Sequence, residues 1–195
     1  MKQFRNHLVA LMFVMLVPMN SLADSNIETA GDVLYILMPV TAYGSTWYLK
    51  DKEGRVEFYK SFAASWLTTR GLKYIIEKPK PDNSDNNSFP SGHASTTFQS
   101  AAFIRKRYGW KYGLPAYAGA TFVAYSRVHA DKHYVEDVMA GAAIGIIASE
   151  IFTTRRKNVS ISPMMQKNTY GFIVRKRFSK ERTMLIRVRK RLRSV

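Results

Sequence analysis

Residues 126–137 read Ser-Arg-Val-His-Ala-Asp-Lys-His-Tyr-Val-Glu-Asp, and they place an arginine, two histidines and a closing aspartate between two apolar runs, 116–125 and 138–147. Charged groups wedged between apolar helical runs carry a cost that a function would explain. If the stretch is helical, His129, His133 and Asp137 recur every four residues and share one face. An aspartate one turn after a histidine can accept its Nδ1–H, which fixes the tautomer and leaves Nε2 outward as a nucleophile or base. The same spacing fits two other readings: a solvated helix end carrying two chance histidines, and a zinc site, since His-x3-His at i,i+4 can ligate metal.

Two further polar clusters bear on the choice. Phe89-Pro90-Ser91-Gly92-His93 stands where a polar loop meets a helical pattern. A helix N-terminus offers unpaired N–H groups and partial positive charge, which together bind anions. Ser91 can cap that helix and donate to a bound oxygen, Gly92 lets the backbone approach closely, and His93 can pass a proton to a leaving group. Upstream, Lys73, Lys78 and Lys80, with Pro79 and Pro81, set cations at the end of a helix and in a stiffened loop. They either complement the helix dipole or bind phosphate. Together the clusters supply cations (Lys73, Lys80, Arg127), a helix N-terminus (Ser91, Gly92) and two histidines, with no carboxylate cluster suited to magnesium or calcium.

The elements that must position these residues are helical. Residues 24–31 form a polar linker and 32–49 a mostly apolar run. Residues 50–54 form a charged turn, and 56–78 show helical spacing of Phe58, Phe62, Trp66, Ile75 and Ile76. Residues 78–89 are loop by their Pro, Asn, Asp and Ser content. Helices are expected over 94–107, 114–126 and 138–152, with a turn at 108–111, and Gly119, Gly141 and Gly145 permit close packing. The expected fold is an all-α bundle of about five or six helices, able to bring the clusters together across facing helices. Residues 158–163 and 169–178 alternate and are rich in β-branched side chains, as a short C-terminal β-hairpin would be.

Composition bounds the setting. A chain of 195 residues defaults to one domain, and 46% hydrophobic content is enough for a core. Residues 1–23 read as a secretory signal: Lys2 and Arg5, an apolar stretch over 8–17, and a small-x-small site at Ser21-Leu22-Ala23. That divides the chain into a signal at 1–23, a helical domain at 24–155 and a basic extension at 156–195. The absence of cysteine excludes disulfides, thiol chemistry and a lipid anchor on an N-terminal cysteine. Export without disulfides suits a bacterial periplasmic or envelope protein, peripheral or associated with the inner membrane.

The net charge is +16, but residues 155–195 hold fourteen Lys/Arg against one acid, so +13 lies there and +3 in everything before. The excess belongs to the tail, whose partners in such a compartment are anionic lipid headgroups or lipopolysaccharide rather than nucleic acid. Residues 182–194 read as an amphipathic basic helix or as a disordered stretch. Mean hydropathy is −0.21, and the small-residue-rich runs suit helices buried against one another.

Pro90-Ser91-Gly92-His93 and Ser126-Arg127-x5-His133-x3-Asp137 resemble the second and third motifs of the type-2 phosphatidic acid phosphatase superfamily. Lys73-x6-Lys80-Pro81 resembles the first, with lysine where that family has arginine. The resemblance covers roughly residues 30–155 and is closest to periplasmic members. It implies that His133 attacks phosphorus and becomes a phosphohistidine, that Asp137 orients and charge-stabilises it, and that His93 protonates the leaving oxygen and then activates water. It further implies that Lys73, Lys80, Ser91, Gly92 and Arg127 hold the phosphoryl oxygens, that no metal or other cofactor is needed, and that His129 has no assigned role. Vanadate is expected to bind as an inhibitor or, in a haloperoxidase-like alternative, as a cofactor. A non-catalytic, basic envelope-binding protein is the other alternative. The substrate would be a phosphorylated lipid or a small phosphoester. Lysine at 80 cannot make arginine's bidentate fork, so weaker phosphate binding is expected.

Overall fold

The computed structural model describes residues 24–156, 160–166 and 169–175. The expected signal at 1–23 and the basic stretch at 182–194 lie outside these residues. The chain separates into two compact units, the first ending at Arg155. The first is all-α and, among the described residues, contains five helices: α1 (Asp24–Tyr48), α2 (Lys52–Ile75), α3 (Gly92–Tyr108), α4 (Trp110–His129) and α5 (Val135–Phe152). In the second, β1 (Ser160–Gln166) pairs antiparallel with β2 (Thr169–Arg175), the expected hairpin.

Helix boundaries follow local chemistry. Asp51 caps α2 by accepting the Gly54 N–H at 3.0 Å. Ser91 caps α3 through the Ala94 N–H at 3.4 Å. Gly109, at φ +97°, ends α3 and starts α4, so the turn expected at 108–111 contracts to one residue. One expectation is corrected: residues 24–31 are not a linker but the first two turns of α1. The condition under which His129, His133 and Asp137 would share one helix face is not met: α4 ends at His129, Asp131 adopts φ +53°, and the Lys132 and His133 N–H groups curl back onto the Arg127 carbonyl at 3.0 and 3.2 Å. A residue at positive φ cannot continue a right-handed helix.

Helix α3 is the hub, packing against each of the other four helices. Its buried surface is mostly small or polar: Ala94, Ser95, Thr97, Gln99, Ser100, Ala101 and Ala102, with Phe103 as the one large apolar side chain. Gln99 donates to Ser61 Oγ of α2 at 2.9 Å, and its carbonyl accepts from Ser149 Oγ of α5 at 2.8 Å. Helix α5 comes close because of two glycines. A Cβ on Gly141 would stand 2.3 Å from the Ser91 carbonyl, and one on Gly145 would stand 2.2 Å from that of Ser95. Phe58, Phe103 and Ala42 form an apolar cluster at the end of the bundle away from Gly92.

At that end Arg107, almost fully buried, grips Asp51 with two bonds of 2.6 and 2.8 Å and also meets Glu53, Glu57 and the Thr154 carbonyl. Elsewhere α1, α2 and α5 leave large apolar side chains exposed, among them Val33, Ile36, Val40, Leu67, Ile147 and Ile151. No described helix is long and apolar enough to cross a membrane.

Candidate active site

The loop between α2 and α3 folds back on itself and brings two clusters together. Lys78 and Asn87 form a β-bridge, the Ser88 N–H donates to the Lys78 carbonyl at 2.9 Å, and the Lys80 N–H donates to that of Asp85 at 2.9 Å. This return sets Lys73, on the last turn of α2, and Lys80 beside the start of α3. The third cluster is tied in by Asp82, which pairs with Lys132 at 2.9 Å, and by the Ser91 N–H, which donates to the Asp137 carbonyl at 2.9 Å.

The result is a cavity of about 500 Å³ lined by Lys73, Lys80, Gly92, His93 and His133 of the expected site residues. Tyr35, Trp66, Arg70 and Tyr74 contribute from α1 and α2. Gly92 opens α3, and a Cβ there would meet no atom within 4 Å, so a bound group would face the helix's free N–H end. Lys73 donates to the Asn87 carbonyl. Its burial and the nearby Lys80 charge lower its pKa to about 8. Lys80 pairs with Asp85 at 2.7 Å.

His133 sits in the turn two residues before α5, and its side chain is 7% exposed. Burial, then the Lys73 charge, pull its pKa down to about 4, against the opposing pull of Asp137. The imidazole is therefore neutral at ordinary pH, as a nucleophilic nitrogen must be. The His133–Asp137 pair is looser than the helical reading expected: Nδ1 stands 3.9 Å from Oδ2 and has no hydrogen-bond partner among the described residues. The turn at 130–134 is the reason, because it places His133 outside the helix that carries Asp137.

Asp137 itself is fully buried as the third residue of α5, where a carboxylate suits the helix N-terminus. Oδ2 accepts from the Tyr134 N–H at 3.0 Å and from the Ser88 hydroxyl, and Oδ1 takes Lys78 Nζ at 2.7 Å. Burial alone would raise this carboxyl. The bonds from Lys78, Ser88 and Tyr134 outweigh it and hold the group below the usual carboxylate range.

Ser91 and Arg127 are buried and are not among the residues that line the cavity. Ser91 is fully buried in its capping role. Arg127 donates from Nη2 to the Glu28 carbonyl at 2.7 Å and from Nη1 to Asp32 at 2.9 Å. The same Asp32 oxygen lies 3.1 Å from His93 Nε2. Burial, then the Arg127 charge, depress the His93 pKa, and Asp32 opposes them. His129 stacks on Tyr125 at the end of α4 and does not line the cavity.

Sequence reasoning missed Asp32, Glu28 and Ser88 as neighbours of the site, and read Lys78 as a dipole-complementing or phosphate-binding cation rather than as the partner of Asp137. Glu28 was hidden by reading 24–31 as linker, and Asp32 by opening the mostly apolar run 32–49. Glu28, Asp32 and Tyr35 nevertheless follow i, i+4, i+7 spacing, the signature of one helix face. Nothing in the local sequence marks Lys78 over Lys73 or Lys80 as the partner of Asp137.

The chain's relatives bear on what this arrangement is. The model of the PAP2 superfamily matches residues 73–160, which contain all three clusters. A lipid A 4′-phosphatase of Helicobacter pylori is 31% identical over 146 residues, covering 67% of this chain and 71% of that protein. A lipid A 1-phosphatase of Porphyromonas gingivalis is 37% identical over 82 residues, which are 40% of this chain and 18% of that much longer protein. The crystal structure of Aquifex aeolicus LpxE shares the fold at TM-score 0.58 and 21% identity, over 73% of this chain and 92% of that one. A transmembrane PAP2-type phosphatidylglycerolphosphate phosphatase of Bacillus subtilis does so at 0.55 and 17%, over 78% and 85%. With motif residues converging on one cavity and a relative matched over most of its length, the chain belongs to the PAP2 superfamily.

Proposed function

We propose that the protein is a metal-independent phosphatase that hydrolyses phosphate monoesters, on a lipid such as the lipid A for which its relatives are named, through a phosphohistidine on His133. The observation that carries this is a buried, neutral His133 facing a cavity that also holds Lys73, Lys80, the α3 N-terminus and His93. A phosphate dianion entering there replaces its hydration with two ammonium groups and backbone N–H donors. His133 Nε2 attacks phosphorus as the ester bond breaks, and His93 gives the departing oxygen a proton. His93 then takes a proton from water, whose oxygen displaces His133 and releases phosphate. Asp137, anchored by Lys78 and Ser88, stabilises the cation that His133 becomes. Ser91, which caps α3, and Arg127, which is bound to Glu28 and Asp32, assist in holding the phosphoryl oxygens. Exported through residues 1–23, the protein would act in the envelope, with the basic tail against anionic lipid.

Hydrolysis of p-nitrophenyl phosphate and of a micellar lipid A phosphate, each with EDTA present, tests this beside His133→Ala. Turnover that survives EDTA, falls at least 1,000-fold in the variant and leaves an acid-labile phosphoryl label on the wild-type chain is expected. Chelator-sensitive turnover, or a variant as active as wild type, would remove the mechanism.

A further inference from the structure

Asp32 lies in α1, outside the matched residues 73–160, yet one of its carboxylate oxygens touches two motif residues at once. Oδ1 is 3.1 Å from His93 Nε2 and 2.9 Å from Arg127 Nη1. One turn further along α1, the ring of Tyr35 packs against the His93 imidazole with centroids 4.2 Å apart. The contact is built into the packing of α1 on α4: a Cβ on Gly31 would stand 2.0 Å from Ser126 Oγ and 3.0 Å from Arg127 Nη2. No bulkier residue fits there, so the backbone that carries Asp32 is pressed onto the site.

We propose that Asp32 is a positioning residue for the phosphatase reaction: it holds the Nε2–H of His93 and so makes Nδ1 the nitrogen that delivers and recovers the proton. The inference rests on the phosphohistidine reading above. In the first step the His133 Nε2–P bond forms, the P–O ester bond breaks, and the His93 Nδ1 proton passes to the departing oxygen. In the second, a water O–P bond forms, the N–P bond breaks, and Nδ1 regains a proton from that water. Nε2–H stays with Asp32 throughout.

Charge gives the arrangement its purpose. The groups facing His93 are Asp32 and Tyr35 from α1, Lys73 from α2, Arg127 from α4 and His133 from the turn before α5. Lys73 and Arg127 both oppose a proton on His93, as does burial, and Asp32 is the carboxylate in direct contact that favours one. Before substrate brings its own negative charge, Asp32 is the contact that opposes the depression of the His93 pKa.

The test is Asp32→Asn with Asp32→Glu beside it. The His93 ring is titrated by heteronuclear NMR in the full chain, its signals assigned with His93→Gln. The apparent pKa of His93 is expected to fall by about 1 or more in Asp32→Asn and to recover in Asp32→Glu. The alkaline limb of kcat/KM should move down by the same amount, lowering kcat/KM above it about tenfold per pH unit. An unchanged titration overturns the proposal. So does tighter binding of inorganic phosphate without a titration change, which would make Asp32 a competing anion. The NMR arm needs no turnover, so a failure of the phosphohistidine reading, judged on His133→Ala, is distinguishable from a failure here. Asp32 is half exposed, and circular dichroism of both variants checks that the bundle is intact.

Discussion

His133 and His93 are both driven toward neutrality, yet the proposed chemistry asks opposite things of them. The nucleophile must be unprotonated, so activity should fall as pH drops through about 4, the value to which burial and Lys73 bring His133. The acid must be protonated in the free enzyme. Since His93 is depressed below the usual 6.5, activity should fall again as pH rises past that lowered value. The expected kcat/KM profile is a bell whose maximum lies between about 4 and 6.5, measured on p-nitrophenyl phosphate. A flat profile across pH 4–8 would contradict these assignments. Lys73 loses charge only near 8, so it weakens phosphate binding beyond the alkaline limb rather than setting it. Lys80, a point charge already paired with Asp85, offers the phosphoryl group a single ammonium. Lys80→Arg should lower KM several-fold with little change in kcat, and an unchanged or raised KM would argue against a phosphate contact at 80.

Helix ends, more than helix lengths, organise the site. The α3 N-terminus faces the cavity, and the α4–α5 turn carries His133 to its wall. The opposite end of α3 is anchored by Arg107, which joins the start of α2 to the segment after α5 through Asp51, Glu57 and Thr154. Arg107→Ala leaves the Asp51 carboxylate buried without its cation. It should destabilise the protein by about 3–5 kcal/mol in urea unfolding, the range for breaking a buried pair from one side. A loss below 1 kcal/mol would mean that water replaces the guanidinium. The glycines are legible from the sequence as close-packing positions, and Gly141 and Gly145 act so against α3. The separation of α4 from α5 follows the gap between the helices expected over 114–126 and 138–152, but the shape of the turn was not legible, because it depends on a left-handed Asp131 whose turn closes onto Arg127.

At the scale of the whole chain, charge and apolar surface are divided. The basic residues concentrate beyond Arg155, while exposed Val, Ile, Leu and Trp side chains lie on α1, α2 and α5. If the tail serves as an electrostatic tether, a chain ending at Arg155 should bind phosphatidylglycerol vesicles much more weakly, with a smaller salt dependence. Its turnover of p-nitrophenyl phosphate should be unchanged. Equal vesicle binding by both chains would assign membrane affinity to the apolar helix faces instead.

The sequence by itself determined the helical class, the C-terminal hairpin, the three clusters and their family, because these depend on local periodicity and on short ordered motifs. The tertiary structure decided which of those residues share a cavity. It brought Lys73, Lys80, Gly92, His93 and His133 to one cavity and left Ser91, Arg127 and Asp137 out of its lining. It also gave Asp137 to Lys78 and Ser88, and gave His93 to Asp32, the first residue of what reads locally as a mostly apolar run. Contacts between residues 49 to 61 positions apart follow from how helices pack, and packing is set by the summed fit of faces such as Gly31 on Ser126 rather than by any one stretch of chain.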